Sequence, residues 1–157
     1  MPARVAGAKP RRSGCGVPAY DARVEGARQK SIVLILAREL ASKLSTAAFV
    51  IDERGHLVYY NEAAEELLGR PFAETYGLSA ADWGSLFDVE GLDGAPVPLE
   101  EMPGGIALLE RRPAHGDLRI TGGDGVRREI AITALPLFAH AGELVGVLTV
   151  FWPSTGA

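Results

Sequence analysis

The acidic residues include adjacent pairs, which are the first candidates for acid–base chemistry. The pairs are Glu65–Glu66 and Glu100–Glu101. A catalytic acid and base must reach one substrate from the same side, but neighbouring residues on a helix diverge by about 100°. These pairs therefore indicate solvated helix faces rather than an active site.

The histidines and hydroxyl residues show no nucleophile–base arrangement. His56 and His140 fall at turns, while His115 lies in a loop flanked by proline and glycine. Ser85 has no base at a suitable spacing. Gly122–Gly125 is rich in glycine but lacks the Lys and Ser or Thr that a phosphate loop requires. Neither a catalyst nor a metal site is predicted, so the sequence favours a non-enzymatic protein.

Cys15 is the single cysteine. One cysteine cannot form an intramolecular disulfide, a cysteine-based zinc site or an iron–sulfur cluster. A reducing compartment suits such a chain, and we predict a cytoplasmic protein.

Charge is unevenly distributed along the chain. The protein has 157 residues, a length typical of one domain with a flank, and its net charge is −4. Residues 1–30 contain seven Lys or Arg and two Asp or Glu, whereas the remainder contains 9 and 18. An acidic body argues against a specific nucleic-acid partner, because phosphate contacts need clustered cations.

Residues 1–20 are basic and rich in Gly, Pro and Ala. This composition predicts a disordered tail, with an electrostatic arm for nucleic acid or an anionic membrane as the alternative. No apolar leader follows the arginines, so a signal peptide is not expected. The apolar run Ile32–Ala37 is too short to span a bilayer, and no membrane span is predicted.

Residues 21–45 predict an amphipathic helix capped by Asp21. Its apolar residues cover more than one face of the helix, and a helix with two apolar sides is expected to contact two surfaces. One surface belongs to its own domain, and the other to a second copy of the chain or a signalling partner. Docking on its own sheet alone is the alternative. The residues assigned to the dimer or partner surface are Ile32, Val33, Leu34, Leu36, Leu40 and Leu44.

A hairpin and a capped helix follow. Ala47–Ile51 and Leu57–Tyr60 are β-favouring runs. Between them, Asp52–Gly55 supplies a carboxylate that can bond the turn backbone and a glycine that can adopt positive φ. Asn61 is expected to cap the next helix, and Gly69 to end it.

The second half of the chain predicts another helix and three strands. Pro98–Glu110 has helical spacing, but an internal Pro-Gly-Gly run places the start of the regular helix near Gly105. The strands are Asp117–Thr121, Val126–Phe138 and Leu144–Trp152. The last is almost continuously apolar, which predicts a central strand with both faces covered.

This order of elements predicts an α+β fold. A five-stranded antiparallel sheet with short helices on one face occupies residues 46–153, after the N-terminal helix and before a tail at 154–157. An apolar ligand cavity between helices and sheet is the candidate site, and a fully packed core is the alternative. Its candidate lining residues are Tyr60, Phe87, Met102, Ile106, Leu109, Ile132 and Leu148.

The joint order of turns and caps is more specific than any one of them. Over Phe49–Gly69 an apolar strand, an Asp-x-x-Gly turn, a strand ending in Asn61 and an Ala-Ala-x-x-Leu-Leu-Gly helix follow one another. Gly123–Gly125 precedes a long strand, and Gly142–Gly146 leads into the last strand. Together these segments resemble the PAS domain family. The resemblance implies a PAS-type sheet around a small cavity and a role in sensing or protein–protein signalling.

Cofactor expectations follow from the same resemblance. PAS domains that form a flavin photoadduct share a reactive Cys in an Asn-Cys-Arg-Phe-type segment, but the matching stretch Gly77–Phe87 contains none. Haem-binding members carry an axial His on the helix before the third strand, and Leu99–Arg112 contains none. Non-covalent flavin would have Trp83 as a stacking residue, although a buried core Trp is favoured. No cofactor is predicted beyond an unidentified apolar small molecule.

The sequence thus predicts a non-catalytic PAS signalling module that senses a small apolar ligand or mediates protein–protein interaction. It is expected to form a homodimer and to act in trans on a signalling protein. A flavin- or haem-bound redox or gas sensor is the alternative, and a small enzyme on an α+β sheet with a cavity is the second alternative.

Overall fold

The structure, a computed structural model, describes residues 32–154. The predicted basic tail, the beginning of the N-terminal helix and the last three residues lie outside the described residues. In chain order the elements are α1 (32–43), β1 (Ala47–Asp52), β2 (Leu57–Tyr60), α2 (Glu62–Leu68), α3 (Phe72–Thr75), α4 (Ala80–Leu86), η1 (Leu99–Glu101), α5 (Pro103–Glu110), β3 (Ala114–Thr121), β4 (Arg127–Phe138), η2 (His140–Gly142) and β5 (Leu144–Pro153).

The five strands form one antiparallel sheet in the order β2-β1-β5-β4-β3. β5 lies in the middle, paired along its length with β1 on one side and β4 on the other. The predicted α+β fold with a five-stranded antiparallel sheet is confirmed, and the apolar run at 144–152 is its central strand.

The β1–β2 turn is held by its own side chains. Asp52 Oδ1 accepts hydrogen bonds from the Arg54 and His56 amides, both at 2.9 Å. Gly55 has φ 81°, a conformation that costs a glycine little. These are the bonds that the Asp-x-x-Gly sequence predicts.

Alternate residues of the strands divide the core into two layers. On the inner face, Ala47, Phe49 and Ile51 of β1 join the main cluster, packed against α2, α4 and α5. On the outer face, Ala48 and Val50 pack with residues of α1. The period of two in a strand thus places α1 on one side of the sheet and the short helices on the other.

α5 begins earlier than the sequence predicts. Pro103 is its first residue, where a missing N–H costs nothing because first-turn amides lack helical partners. Gly105 is buried against η1, and a Cβ there would overlap the Leu99 carbonyl. The glycine therefore permits close packing instead of delaying the helix.

β3 and β4 also differ in detail from the prediction. β3 begins at Ala114, three residues before the predicted start, because its pairing with β4 extends to Ala134. Pro136 lies beyond that last pair, where its missing N–H breaks no bond to β3. A register irregularity follows between Leu137 and Phe138.

Within residues 32–154, no helix has the length and apolar character needed to cross a membrane.

Candidate functional site

A small apolar cavity lies between the inner face of the sheet and the helices α4, η1 and α5. Its volume is about 50 Å³. One water needs about 10–15 Å³ by this kind of measure, so the space holds a ligand of only a few heavy atoms. The cavity is lined by Phe49, Ile51, Gly55, Leu57, Leu78, Ala80, Trp83, Leu99, Met102, Gly104, Gly105, Leu118 and Ile132.

Aromatic rings form one wall of this cavity. The Trp83 ring lies 5.2 Å from that of Phe49 and 5.0 Å from that of Phe87, measured between centroids. Phe49 in turn lies 5.8 Å from Phe151. Tilted aromatic pairs at these distances pack favourably and fix each other's orientation. Trp83 is therefore held in place, yet its indole Nε1 is buried without a hydrogen-bond partner among the described residues.

Thr149 is the polar residue on the inward face of the central strand. It is fully buried, and within the described residues its Oγ1 has no hydrogen-bond partner. A Cβ added to Gly104, which lines the cavity, would lie 4.0 Å from this oxygen. The hydroxyl thus lies beside the cavity at the start of α5.

The predicted cavity residues fall into three groups: residues that line the cavity, residues that lie near it but outside its lining, and two residues that lie elsewhere. Met102 and Ile132 line the cavity. Tyr60 and Phe87 are buried in the same core but outside the cavity lining, and Ile106 is half-buried on α5.

Two of the predicted residues are misplaced. Leu109 is 59% exposed, because α5 buries its small residues and turns this leucine to solvent. Leu148 packs with Ala37 and Ala41 of α1 on the opposite face of the sheet. The assignment of these two residues to the cavity was wrong.

Sequence reasoning missed Thr149 as a candidate. A signal was present: within the apolar run Leu144–Trp152, Thr149 is the one hydroxyl residue. A hydroxyl in a strand buried on both faces needs a partner. Trp83 was considered only as a core residue or a flavin-stacking ring.

Tyr60 closes the α2–α3 connection instead of lining the cavity. Its hydroxyl donates to the Arg70 carbonyl at 2.7 Å. Burial raises the pKa of this phenol above its usual value, so Tyr60 stays neutral and keeps its donor role at physiological pH.

A larger groove of about 690 Å³ opens between α4, the 88–98 loop and the β3–β4 hairpin. Its rim carries an ion-pair network in which Glu90 contacts Arg119 and Arg127, and Arg119 also donates to Glu129 at 2.8 Å. The bond to Glu129 raises the pKa of Arg119. Glu90 and Arg127, which line the groove, are paired with each other, so this part of the rim has a structural explanation.

The described residues contain no group of three His, Cys, Asp or Glu side chains placed to hold a metal. The cavity lining contains no carboxylate, histidine or cysteine. The isoalloxazine ring of a flavin is several times larger than the cavity, and no cysteine is available to bond it within the described chain. The residues present therefore do not fit a flavin photoadduct.

The outer face of the sheet carries α1, whose two sides differ. Leu34 and Leu44 pack against the outer core cluster, together with Ala37 and Ala41. Val33 is half-buried. Leu34 and Leu44, predicted for the partner surface, thus contact their own domain.

The other side of α1 exposes a row of large apolar residues. Ile32 and Leu40 are 53% exposed and Leu36 is 62% exposed. These three are spaced by four residues and so form one stripe, beside which Ile35 is 63% exposed. We call Ile32, Ile35, Leu36 and Leu40 the α1 stripe. One side of α1 thus docks on its own domain, and the other side exposes apolar residues.

Comparison with known proteins identifies the relatives of this fold. Residues 41–156 match the model of a family described as PAS fold. No curated protein matches the chain.

Three solved structures illustrate the likeness. The PAS domain of BvgS from Bordetella pertussis is 20% identical, with a TM-score of 0.54, covering 78% of this chain and 86% of that one. A PAS domain from Colwellia psychrerythraea is 19% identical, with a TM-score of 0.58 and coverages of 78% and 98%. The LOV protein of Rhodobacter sphaeroides is 14% identical, with a TM-score of 0.63 and coverages of 78% and 68%. At these identities the likeness shows a shared fold.

Proposed function

The chain belongs to the PAS fold family, and on that premise we propose that it is a non-catalytic signalling module whose inner cavity senses a small apolar ligand. The observation that carries the proposal is a cavity lined by apolar side chains and glycines beside the helices that cover the sheet. Apolar cavities of this kind bind small apolar molecules in preference to water.

The signal would leave through α1. This helix packs on the outer face of β1 and β5; the inner face of β1 lines the cavity, and the inner face of β5 carries Thr149. A ligand that changes the packing of these strands shifts the population of docked α1 by its differential affinity for the two states. The α1 stripe then offers the output surface, either to a second copy of the chain or to a signalling protein.

We further propose that a second copy of this chain occupies the α1 stripe. Leu135 and Trp152, each 40% exposed, lie on the outer face of the sheet that α1 covers, so exposed apolar side chains occur on both the helix and this face. A symmetric helix–helix contact buries such a surface against itself. The compartment we propose is the cytoplasm, since a single cysteine suits a reducing environment.

Methyl NMR with methylenecyclopentane as the probe tests the ligand proposal. We expect the largest shifts at Ile51, Leu57 and Ile132, which line the cavity, and smaller ones at Leu148 and Val150, which report on the outer face and α1. Amide exchange in α1 should change in the same titration. No response at the lining methyls would contradict the proposal.

Gly104→Ala is the matched variant for this test. A Cβ there has Thr149 Oγ1 as its nearest neighbour, at 4.0 Å, so the methyl group fills cavity space without a clash. We expect folding to be retained and probe binding to be lost.

A cofactor-bound sensor is the second candidate, because a LOV protein is among the structural neighbours. A visible absorption spectrum of freshly purified protein decides between the two. A band above the aromatic region would favour flavin or haem and contradict the apolar-ligand proposal.

A further inference from the structure

Two buried polar side-chain atoms beside the cavity lack a partner within the described residues. Trp83 lines the cavity, and its indole N–H has no acceptor. Thr149 is fully buried, and its hydroxyl is also unpaired. Buried polar groups are almost always hydrogen-bonded, because an unpaired one destabilises the folded state. Two such atoms near one cavity indicate a missing partner rather than two separate defects.

The start of α5 adds further donors at the same place. The first helical backbone bond runs from the Ile106 N–H to the Met102 carbonyl at 2.8 Å, and Pro103 has no N–H. The amides of Gly104 and Gly105, which line the cavity, belong to the first turn, where N–H groups have no partner within the helix. This end of the helix dipole also favours negative charge.

The Trp83 indole N–H and the first-turn amides can only donate, whereas the Thr149 hydroxyl can donate or accept. A carbonyl-type oxygen carries two lone pairs and no hydrogen, so it can accept from two of them at once.

We propose that the ligand is a small apolar molecule with a carbonyl-type oxygen, which accepts from the Trp83 indole N–H and the Thr149 hydroxyl. This inference rests on the proposed function and names the ligand class of the same cavity. A volume of about 50 Å³ limits the ligand to a few heavy atoms.

A matched ligand pair tests the proposal: cyclopentanone, which has the oxygen, and methylenecyclopentane, which has the same shape with CH₂ in its place. The chain has two tryptophans, so a ¹⁵N correlation spectrum contains two indole signals. Trp152, 40% exposed on the outer face, is the internal control. We expect cyclopentanone to move the Trp83 indole proton downfield and methylenecyclopentane to leave it near its ligand-free position.

Thr149→Val removes the hydroxyl and keeps the side-chain shape. We expect it to weaken cyclopentanone binding about five- to tenfold, the worth of one hydrogen bond, and to leave methylenecyclopentane binding unchanged. The ligand-free variant should melt at the same temperature as the parent or higher, because it no longer buries an unpaired hydroxyl. Thr133→Val is the control, since the Thr133 hydroxyl is paired with His115 Nδ1 at 2.7 Å on the outer face.

The outcomes separate the two proposals. Equal affinity for both ligands, with an unmoved Trp83 signal, would overturn the carbonyl inference and leave apolar sensing intact. Failure of both ligands to perturb the lining methyls would overturn both. A Thr149→Val variant that binds cyclopentanone as tightly as the parent would also overturn the role of that hydroxyl.

Discussion

Asn61 uses every polar atom of its side chain to join three segments. Its Oδ1 accepts from the amides of Ala48 in β1 and Ala64 in α2, both at 3.0 Å. Its Nδ2 donates to the carbonyls of Ala41 and Thr46 at 2.9 Å, with Leu44 at 3.3 Å. The residue predicted as a helix cap therefore also holds the end of α1 to the sheet.

Asn61→Asp separates these two roles. The carboxylate keeps the acceptor for Ala48 and Ala64, but it loses both N–H donors and faces three carbonyl oxygens. We expect a loss of about 3–5 kcal/mol in the free energy of unfolding at pH 7, since a buried charge is left unpaired. Urea denaturation measures this value.

The same variant has a pH dependence of known sign. Burial raises the pKa of the introduced carboxyl above its unfolded value near 4, so the folded state is favoured below pH 4 and weakened as pH rises. The protonated acid also regains one donor. We therefore expect a smaller loss, relative to the parent, at pH 4 than at pH 7. An equal loss at both would contradict the account of Asn61 as a donor to α1.

Asp124 provides a second prediction at this scale. Arg128 donates to its carboxylate at 2.6 Å, and this bond, with that from the Val126 amide, lowers its pKa from 3.8 to about 2. Its stabilising contribution is present above pH 4 and is lost as pH falls to about 2. Asp124→Asn should remove this part of the acid-induced destabilisation, measured by thermal melts between pH 5 and 2. The effect is small, because the pair is partly solvated.

At the scale of elements, α1 docks through small residues. Ala41 is fully buried and Ala37 is 6% exposed, both against the outer face of the sheet. A Cβ on Gly146 of β5 would lie 3.1 Å from Leu34 Cδ2, so the glycine admits this leucine. Arg38 lies 5.1 Å from the Tyr59 ring centroid and adds a contact to β2. The small residues thus let α1 approach the sheet closely, with Leu34 and Leu44 packed at its two ends.

Ala41→Leu tests this docking. The added atoms have no space at a fully buried position, and overpacking costs about 1–3 kcal/mol. We expect faster amide exchange in α1, with little change in β4 and β5. Ser42→Leu adds the same side chain at an exposed position and should leave exchange unchanged. Equal protection of α1 in both variants would contradict the prediction.

Element boundaries and faces show where sequence reasoning reaches its limit. Where β5 is apolar on both faces, hydrophobicity carries no period from which to assign Leu148 to one side. Leu109 was misplaced because the face of α5 against the core is formed by Pro103, Gly105 and Ala107, whose small size gives a weak apolar signal. The Asp52 turn and the Asn61 cap were predictable, because local hydrogen-bonding chemistry determines them.

At the scale of the whole molecule, the α1 stripe predicts self-association. Ile32→Gln, Leu36→Gln and Leu40→Gln together remove apolar surface without touching the residues that dock α1. We expect light scattering after size exclusion to give the mass of a dimer for the parent and of a monomer for the triple variant.

The control is a double variant, Leu92→Gln with Val126→Gln. Both residues are 48% exposed, and neither belongs to α1. It should retain the dimer mass. A parent that is monomeric, or a triple variant that stays dimeric, would contradict the assignment of a second copy to this stripe.

The architecture as a whole was more predictable than the site within it. The succession of helices and strands along the chain follows from turns, caps and apolar runs that each leave a local signature, as with Asp52–Gly55 and Leu144–Trp152. The cavity leaves no such local signature, because it is the space that α4, η1, α5 and the sheet leave unfilled between them. Trp83 lines the cavity and Thr149 lies beside the cavity residue Gly104, yet the two are 66 positions apart in the chain.

The side-chain amide of Asn61 is one hydrogen-bonding group that joins the end of α1 to β1 and α2. Its two N–H groups face the Ala41 carbonyl in the last turn of α1 and the Leu44 and Thr46 carbonyls in the α1–β1 connection. This end of α1 therefore cannot separate from the sheet without breaking these bonds. Fraying of α1 should therefore start from its N-terminal end and stop at this point until the Asn61 hydrogen bonds break. Such an arrangement gives a threshold. A weak perturbation leaves α1 docked, and only one strong enough to break the Asn61 hydrogen bonds releases the helix, in an all-or-none response.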